Sequence, residues 1–178
     1  MSAEDIDKLL RSYRKTPLRA HDALPRNLAH TGQDLVERLL PHRAPMLLVD
    51  RLLGVDLSES LAYGQRLIGS DHLGIAGHFP GYPVLPGAIQ IEMLGQLGLC
   101  MFRFLEAGAL ELADALPPLN IRATKILGAH FLAEVVPGDM VELVAQCLEM
   151  DDFLATSITQ ARVGERIVCV MAGEVAFV

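Results

Sequence analysis

The apolar positions change their spacing several times along the chain, and each change marks an element. In residues 2–15, Ile6, Leu9, Leu10 and Tyr13 fall on one helical stripe, behind a Ser2/Asp5 capping-box pair. This predicts a short amphipathic helix. Residues 16–30, with Pro17, Pro25 and mixed polar side chains, read as a linker or extended arm. Thr31 and Asp34 form a second capping-box pair, predicting a helix over 32–40 that Pro41 stops. Residues 46–55 are apolar around Asp50 and Arg51 and read as a strand; 61–68 read as a second, with less regular alternation.

The densest punctuation is at 77–87, where Gly77, Gly81 and Gly87 are interleaved with Pro80, Pro83 and Pro86. Each proline removes an N–H donor and each glycine admits φ > 0, so the segment is a shaped loop. The pattern then changes at once. Residues 88–104 hold no proline and almost no polar side chain, which predicts a helix apolar on nearly every face and buried all round. After a loop over 109–118, strand-like segments run over 119–127, 129–135, 140–150, 153–163 and 166–178. Turn signals at Gly128, Pro137–Gly138, Asp151–Asp152 and Gly164–Glu165 separate them. Short connections make neighbouring strands antiparallel. The expectation is an α+β fold: an antiparallel sheet of about six or seven strands wrapped around one long buried helix. Residues 31–178 would form that domain, and residues 1–30 an N-terminal helical arm serving packing or dimer contact.

The chain has 178 residues, of which 51% are hydrophobic and 21% charged, a globular composition for one domain. Its net charge of −7, with no basic stripe, argues against nucleic acid. No membrane span is expected, because Glu92, Gln96 and several glycines interrupt the one long apolar run. With no apolar signal core at the N-terminus, a cytoplasmic protein is expected. Cys100, Cys147 and Cys169 are widely spaced among apolar residues and read as free thiols; neither a disulfide nor a metal site is expected. There is no GxGxxG and no P-loop, so no nucleotide cofactor is expected.

Three polar side chains interrupt the apolar helix: Gln90, Glu92 and Gln96. Carboxylates are rarely buried without a partner, and one held among apolar neighbours keeps its proton to higher pH. His78 stands on the rigid loop that leads into the same helix. A histidine and a desolvated carboxyl are the equipment of general acid–base chemistry near neutral pH. Gly87, at the helix start, can offer an unpaired backbone N–H to a developing oxyanion. Gln96, four residues after Glu92, shares its face and is suited to orient it. His72 and His130 are weaker candidates, and His42 reads as structural, part of the helix stop.

The segment GHFPGYPVLPGAIQIEMLGQ, residues 77–96, resembles the signature of the β-hydroxyacyl-(acyl carrier protein) dehydratases. LLPHRAPMLLVDR at 39–51 and VVPGD at 135–139 are similar to two further blocks of that family. The resemblance implies a hot-dog fold, a catalytic pair of His78 and Glu92, and a thioester oxygen held at Gly87. Glu92, where the dehydratase–isomerases have Asp, points to the general elongation type. It also implies that His78 and Glu92 meet across a homodimer or larger homo-oligomer, up to a trimer of dimers, with an acyl tunnel between subunits. Phe79, Pro86 and Met93 would line that tunnel. The implied reaction is dehydration of (3R)-3-hydroxyacyl thioesters to trans-2-enoyl thioesters, on acyl carrier protein or coenzyme A, with no cofactor.

Two departures stand out. Ala133 and Glu134 occupy a strand where the family carries basic or neutral residues, with Arg122 and Lys125 only slightly upstream. The arm over 1–30 is the other. Together they suggest a relative specialised for a dedicated carrier or a coenzyme A thioester. Thioester hydrolysis on the same fold, and a non-catalytic acyl-binding subunit, are the alternative readings.

Overall fold

The computed structural model describes residues Met1–Val178. Helix α1 spans Ala3–Tyr13, α2 Gln33–Leu39 and α3 Gly87–Ala107; a 3-10 turn covers His21–Ala23. Six strands, β1 (Arg51–Asp56), β2 (Leu61–Leu67), β3 (Ile121–Phe131), β4 (Met140–Met150), β5 (Leu154–Val163) and β6 (Arg166–Phe177), form one sheet in the order β1-β2-β4-β5-β6-β3. Every neighbouring pair is antiparallel.

The two faces of this sheet are both covered, which explains why the strands read as nearly continuous apolar runs. One face packs on α3 through Ala62, Val141, Leu143 and Met171, against Met93, Leu97, Met101 and Phe102. The other face carries Ile158, Val170 and Ala172, which pack against Ile6 and Leu10 of α1. The capping box that starts α1 is formed: Ser2 and Asp5 each bond the other's backbone N–H. Beyond α1 the chain stays on the sheet. Gln160, fully buried on β5, donates to Tyr13 O at 2.7 Å and Thr16 O at 3.0 Å, and accepts from Leu18 N at 3.0 Å. Asn27 bonds both backbone groups of Val55. Between these points, His21 and Arg26 reach a buried polar cluster on the sheet, formed by Tyr63, Glu142 and Arg162.

Four expectations are corrected. Residues 119–127 and 129–135 are not two strands: β3 runs through Gly128, which sits at a bulge between Ile126 and Gly128. A Cβ at Gly128 would lie 2.6 Å from Leu10 Cδ1, so this glycine admits α1 and makes no turn. The first strand begins only at Arg51, because the backbone of 46–48 bonds elsewhere: Met46 N donates to Arg43 O, and Met46 O and Leu48 N are taken by the side chain of Gln96. The second capping box does not form. Gly32 is the N-cap of α2, and Thr31 Oγ1 accepts from Arg51 instead.

The fourth correction concerns α3. Eleven of its residues are buried, from Gln90 to Phe104, but Ala88, Ile91, Glu92, Gly95 and Leu99 form a stripe that the sheet leaves partly open. The sheet curls over α3 and stops short of closing. Helix α3 has the length and apolarity of a membrane span, yet most of it is buried against the sheet.

Replacing Gln160 by Leu should loosen the arm. The expected loss is about 2 kcal/mol of stability, from three backbone groups that lose their partner, read by urea denaturation. Limited proteolysis should then cut within residues 14–30 first.

Candidate active site

The loop that carries His78 is held by its own backbone. Val84 N donates to His78 O at 2.9 Å, Tyr82 and Phe79 exchange two bonds at 3.0 Å, and Leu85 N donates to Val135 O at 2.8 Å. His78 Nδ1 lies 3.1 Å from Val84 O. A carbonyl can only accept, so Nδ1 carries the hydrogen and Nε2 of the neutral ring keeps its lone pair. No hydrogen bond engages Nε2. Phe79 stacks on the imidazole at 4.2 Å between centroids and is more than half exposed.

Helix α3 starts directly after this loop, with Pro86 as its N-cap. Pro86 O accepts from Ile89 N and Gln90 N, while nothing in the chain accepts from Gly87 N–H. The N–H therefore points out of the helix as an unused donor at the positive end of the dipole. Phe131, at the end of β3, packs beside this residue: a Cβ on Gly87 would lie 2.7 Å from its ring, which would have to move aside.

Glu92 is one and a half turns further on. The expected burial is not found within one chain, since the Glu92 side chain is 40% exposed on the open stripe. The carboxylate is held by one oxygen. Oε1 accepts from Gln96 Nε2 at 2.8 Å and lies 3.6 Å from His42 Nε2; Oε2 has no partner. Gln96 is itself immobile. It is 1% exposed, donates to Met46 O at 2.7 Å and accepts from Leu48 N at 2.8 Å, so its amide cannot turn away from Glu92.

His42 reads as structural in the sequence, and the structure sets it beside the carboxylate. It lines a groove of about 340 Å³ together with Glu92, Gly95, Leu99, Ile121 and Lys125. The signal for it is its place in the PHR block; what sequence does not supply is that this block crosses α3 at Glu92. His72 is buried away from this groove, bonded to Leu73 O, and burial pushes its pKa down.

His78 and Glu92 do not meet inside one chain: no hydrogen bond or ion pair joins them. Gly87 and Glu92 share α3, and Pro86 lies between His78 and Gly87, packed against Gly74. Met93 is fully buried in the core and does not line the groove beside Glu92. Of the departures, Glu134 accepts a 2.6 Å bond from Tyr82 OH, which ties the His78 loop to the segment that follows β3. Lys125 lies in the groove. No group of three or more His, Cys, Asp or Glu side chains is arranged to hold a metal ion. All three cysteines are free, and burial pushes the Cys100 and Cys169 thiols up to about 12.

Residues 40–171 match the family model of the FabA-like domain. The 3-hydroxyacyl-(acyl-carrier-protein) dehydratase FabZ of Desulforamulus reducens is 33% identical over 132 residues, covering 74% of this chain and 87% of its own. The protein of that name from Xanthomonas oryzae pv. oryzae is 35% identical over 133 residues, covering 75% and 83%. Among solved structures, the dehydratase heterocomplex ApeI:P from Xenorhabdus doucetiae superposes with a TM-score of 0.62 at 18% identity, over 80% of this chain and 90% of that one. The TT0310 protein from Thermus thermophilus gives 0.56 at 15% identity, over 77% and 100%. These two support the fold alone. The match over residues 40–171, with relatives above 30% identity along most of their own length, places the sheet and its central helix in one family: the chain belongs to the FabA-like domain family, among its FabZ-type members.

Proposed function

We infer that this protein dehydrates (3R)-3-hydroxyacyl thioesters, carried on acyl carrier protein, to trans-2-enoyl thioesters in fatty acid biosynthesis. One observation carries the mechanism. In the stretch that bears the motif, the local contacts leave three reacting atoms free: His78 Nε2, Gly87 N–H and Glu92 Oε2. His78 Nε2 takes the α-proton, since Nδ1 is committed to Val84 O. Negative charge then grows on the thioester oxygen, where the Gly87 N–H meets it. Glu92 gives a proton to the β-hydroxyl as the C–O bond breaks. The electron pair of the broken C–H bond becomes the double bond, and water leaves. Gln96 keeps Glu92 Oε1 engaged so that Oε2 faces the substrate.

The acid and base come from different subunits in this reading. Three features support it. His78 and Glu92 are not in contact within the chain. The open stripe on α3 bears Glu92. Strand β3 is an edge strand that exposes Ile126 and Phe131, a surface suited to a second copy of the chain. A dimer formed there would cover Glu92 and supply the desolvation that one chain lacks. Phe79 and Pro86, beside His78 and Gly87, would line the acyl path. The three free thiols fit a reducing compartment, the cytoplasm. Neither thioester hydrolysis nor mere acyl binding has an observation of its own in its favour.

His78→Ala and Glu92→Gln should each lower kcat/KM at least about 100-fold, followed by enoyl absorbance on a hydroxyacyl carrier substrate, with folding retained by circular dichroism. Full activity in either variant would remove that residue from the mechanism. Unfolding and refolding the two inactive variants together should restore about a quarter of wild-type activity, because only mixed dimers hold one intact site. If the pair acts within one chain, the mixture stays inactive. Gln96→Leu should lower kcat by about 10- to 100-fold with KM little changed, as for other residues that orient a reacting group.

A further inference from the structure

His42 stands beside the acid without a task in the reaction. Its Nε2 lies 3.6 Å from Glu92 Oε1, an ion-pair distance a little longer than a hydrogen bond. The other ring nitrogen, Nδ1, is enclosed and has no partner. An imidazolium would bury an N–H there that nothing accepts, whereas the neutral ring with its hydrogen on Nε2 leaves only a lone pair. His42 therefore turns a neutral N–H donor toward the carboxyl. Its position is fixed from both sides. Arg43 NH1 donates to His42 O at 2.6 Å and to Leu40 O at 3.0 Å, and Arg43 O accepts from Met46 N at 2.8 Å and Leu47 N at 3.0 Å. Beyond these, Met46 O and Leu48 N are bonded by Gln96, the same amide that donates to Glu92. One side chain thus ties the histidine's segment to the carboxyl. The other ionisable groups of the groove, Lys125 and Glu174, make no ion pair with either residue.

We propose that His42 is a second positioning residue for the acid: its Nε2–H donates to Glu92 Oε1 and so confines the acidic hydrogen to Oε2. The role rests on the dehydratase reading and deepens it. A carboxyl oxygen has two lone pairs. Gln96 fills one of those on Oε1. Were the other free, the hydrogen of the protonated acid could sit there, pointing at the PHR block and away from the substrate. The His42 N–H fills it instead, because a lone pair that accepts an N–H cannot also carry the hydrogen of the acid. That hydrogen is then held on Oε2, the oxygen with no partner, where it faces the β-hydroxyl. Contacts of this kind are often long in the free enzyme and tighten around the bound substrate. A shift of about 0.5 Å brings this one into hydrogen-bond range.

The test compares wild type, His42→Leu and His42→Gln by enoyl formation from a hydroxyacyl carrier substrate, each checked for folding by circular dichroism. In His42→Leu, kcat should fall about 10-fold, as for the loss of one hydrogen bond, with KM little changed. His42→Gln keeps an N–H donor and cannot titrate, so its kcat should stay within about threefold of wild type. In the residual activity of Glu92→Gln, which has already lost the acid, adding His42→Leu should cost nothing more. If His42→Leu does not fold, His42→Ala takes its place. Unchanged kcat in His42→Leu overturns the assignment. An equal loss in the Leu and Gln variants also overturns it, since that would make His42 a proton carrier or a packing element. So does a further loss when His42→Leu is added to Glu92→Gln. The failures are separable. No enoyl product from wild type overturns the dehydratase reading and the role of His42 with it. Turnover that Glu92→Gln abolishes and His42→Leu leaves intact overturns the role of His42 alone.

Discussion

A 21-residue helix with apolar side chains on nearly every face cannot be left in water, and one six-stranded sheet cannot cover all of it. The rest of the structure follows from that mismatch. Side chains such as Met93, Leu97, Met101 and Phe102 each gain about 1.5–3 kcal/mol from burial, enough to hold α3 against the curl of the sheet. Arg103 is carried into the same core, where its Nε donates to Leu39 O at the end of α2. The face that remains open bears Ala88, Ile91, Gly95 and Leu99 beside one carboxylate, and it is there that Glu92 meets solvent.

The N-terminal arm solves a related problem on the other side. A sheet with apolar residues on both faces needs a second cover. Helix α1 supplies it through Ile6 and Leu10, and the connection to α2 is fastened by Gln160, Asn27 and the cluster around Tyr63 and Glu142. The arm adds a layer to the fold, on the opposite face from the groove that holds Glu92.

Within the site, the backbone and one side-chain amide do most of the positioning. The His78 ring is oriented by a carbonyl six residues on, and Glu92 by an amide one turn on, so both contacts are local and stand in the motif itself. Gln96 has a longer reach: by bonding Met46 O and Leu48 N it draws segment 46–48 across α3 and out of the sheet. That one side chain explains why the apolar run at 46–50 is not a strand, and why His42, just before it, ends beside Glu92. A strand pattern in sequence records only that side chains will be buried. It does not record which partner the backbone will take.

The sequence by itself determined what depends on neighbours in the chain. The rigid loop, the start of α3, the capped α1 and the antiparallel run of the last strands are set by proline, glycine and hydrophobic period. The spacing of His78, Gly87, Glu92 and Gln96 follows, because a loop and a helix turn convert residue numbers into distances. Tertiary structure decided what depends on residues far apart. Gly128 looks like a turn until Leu10, more than a hundred positions earlier, is seen to pack where its Cβ would be. Thr31 looks like a cap until Arg51 takes its hydroxyl. The exposure of Glu92 was also beyond the sequence, because an apolar neighbourhood in the chain is not a dry one in space; it depends on how far the sheet closes.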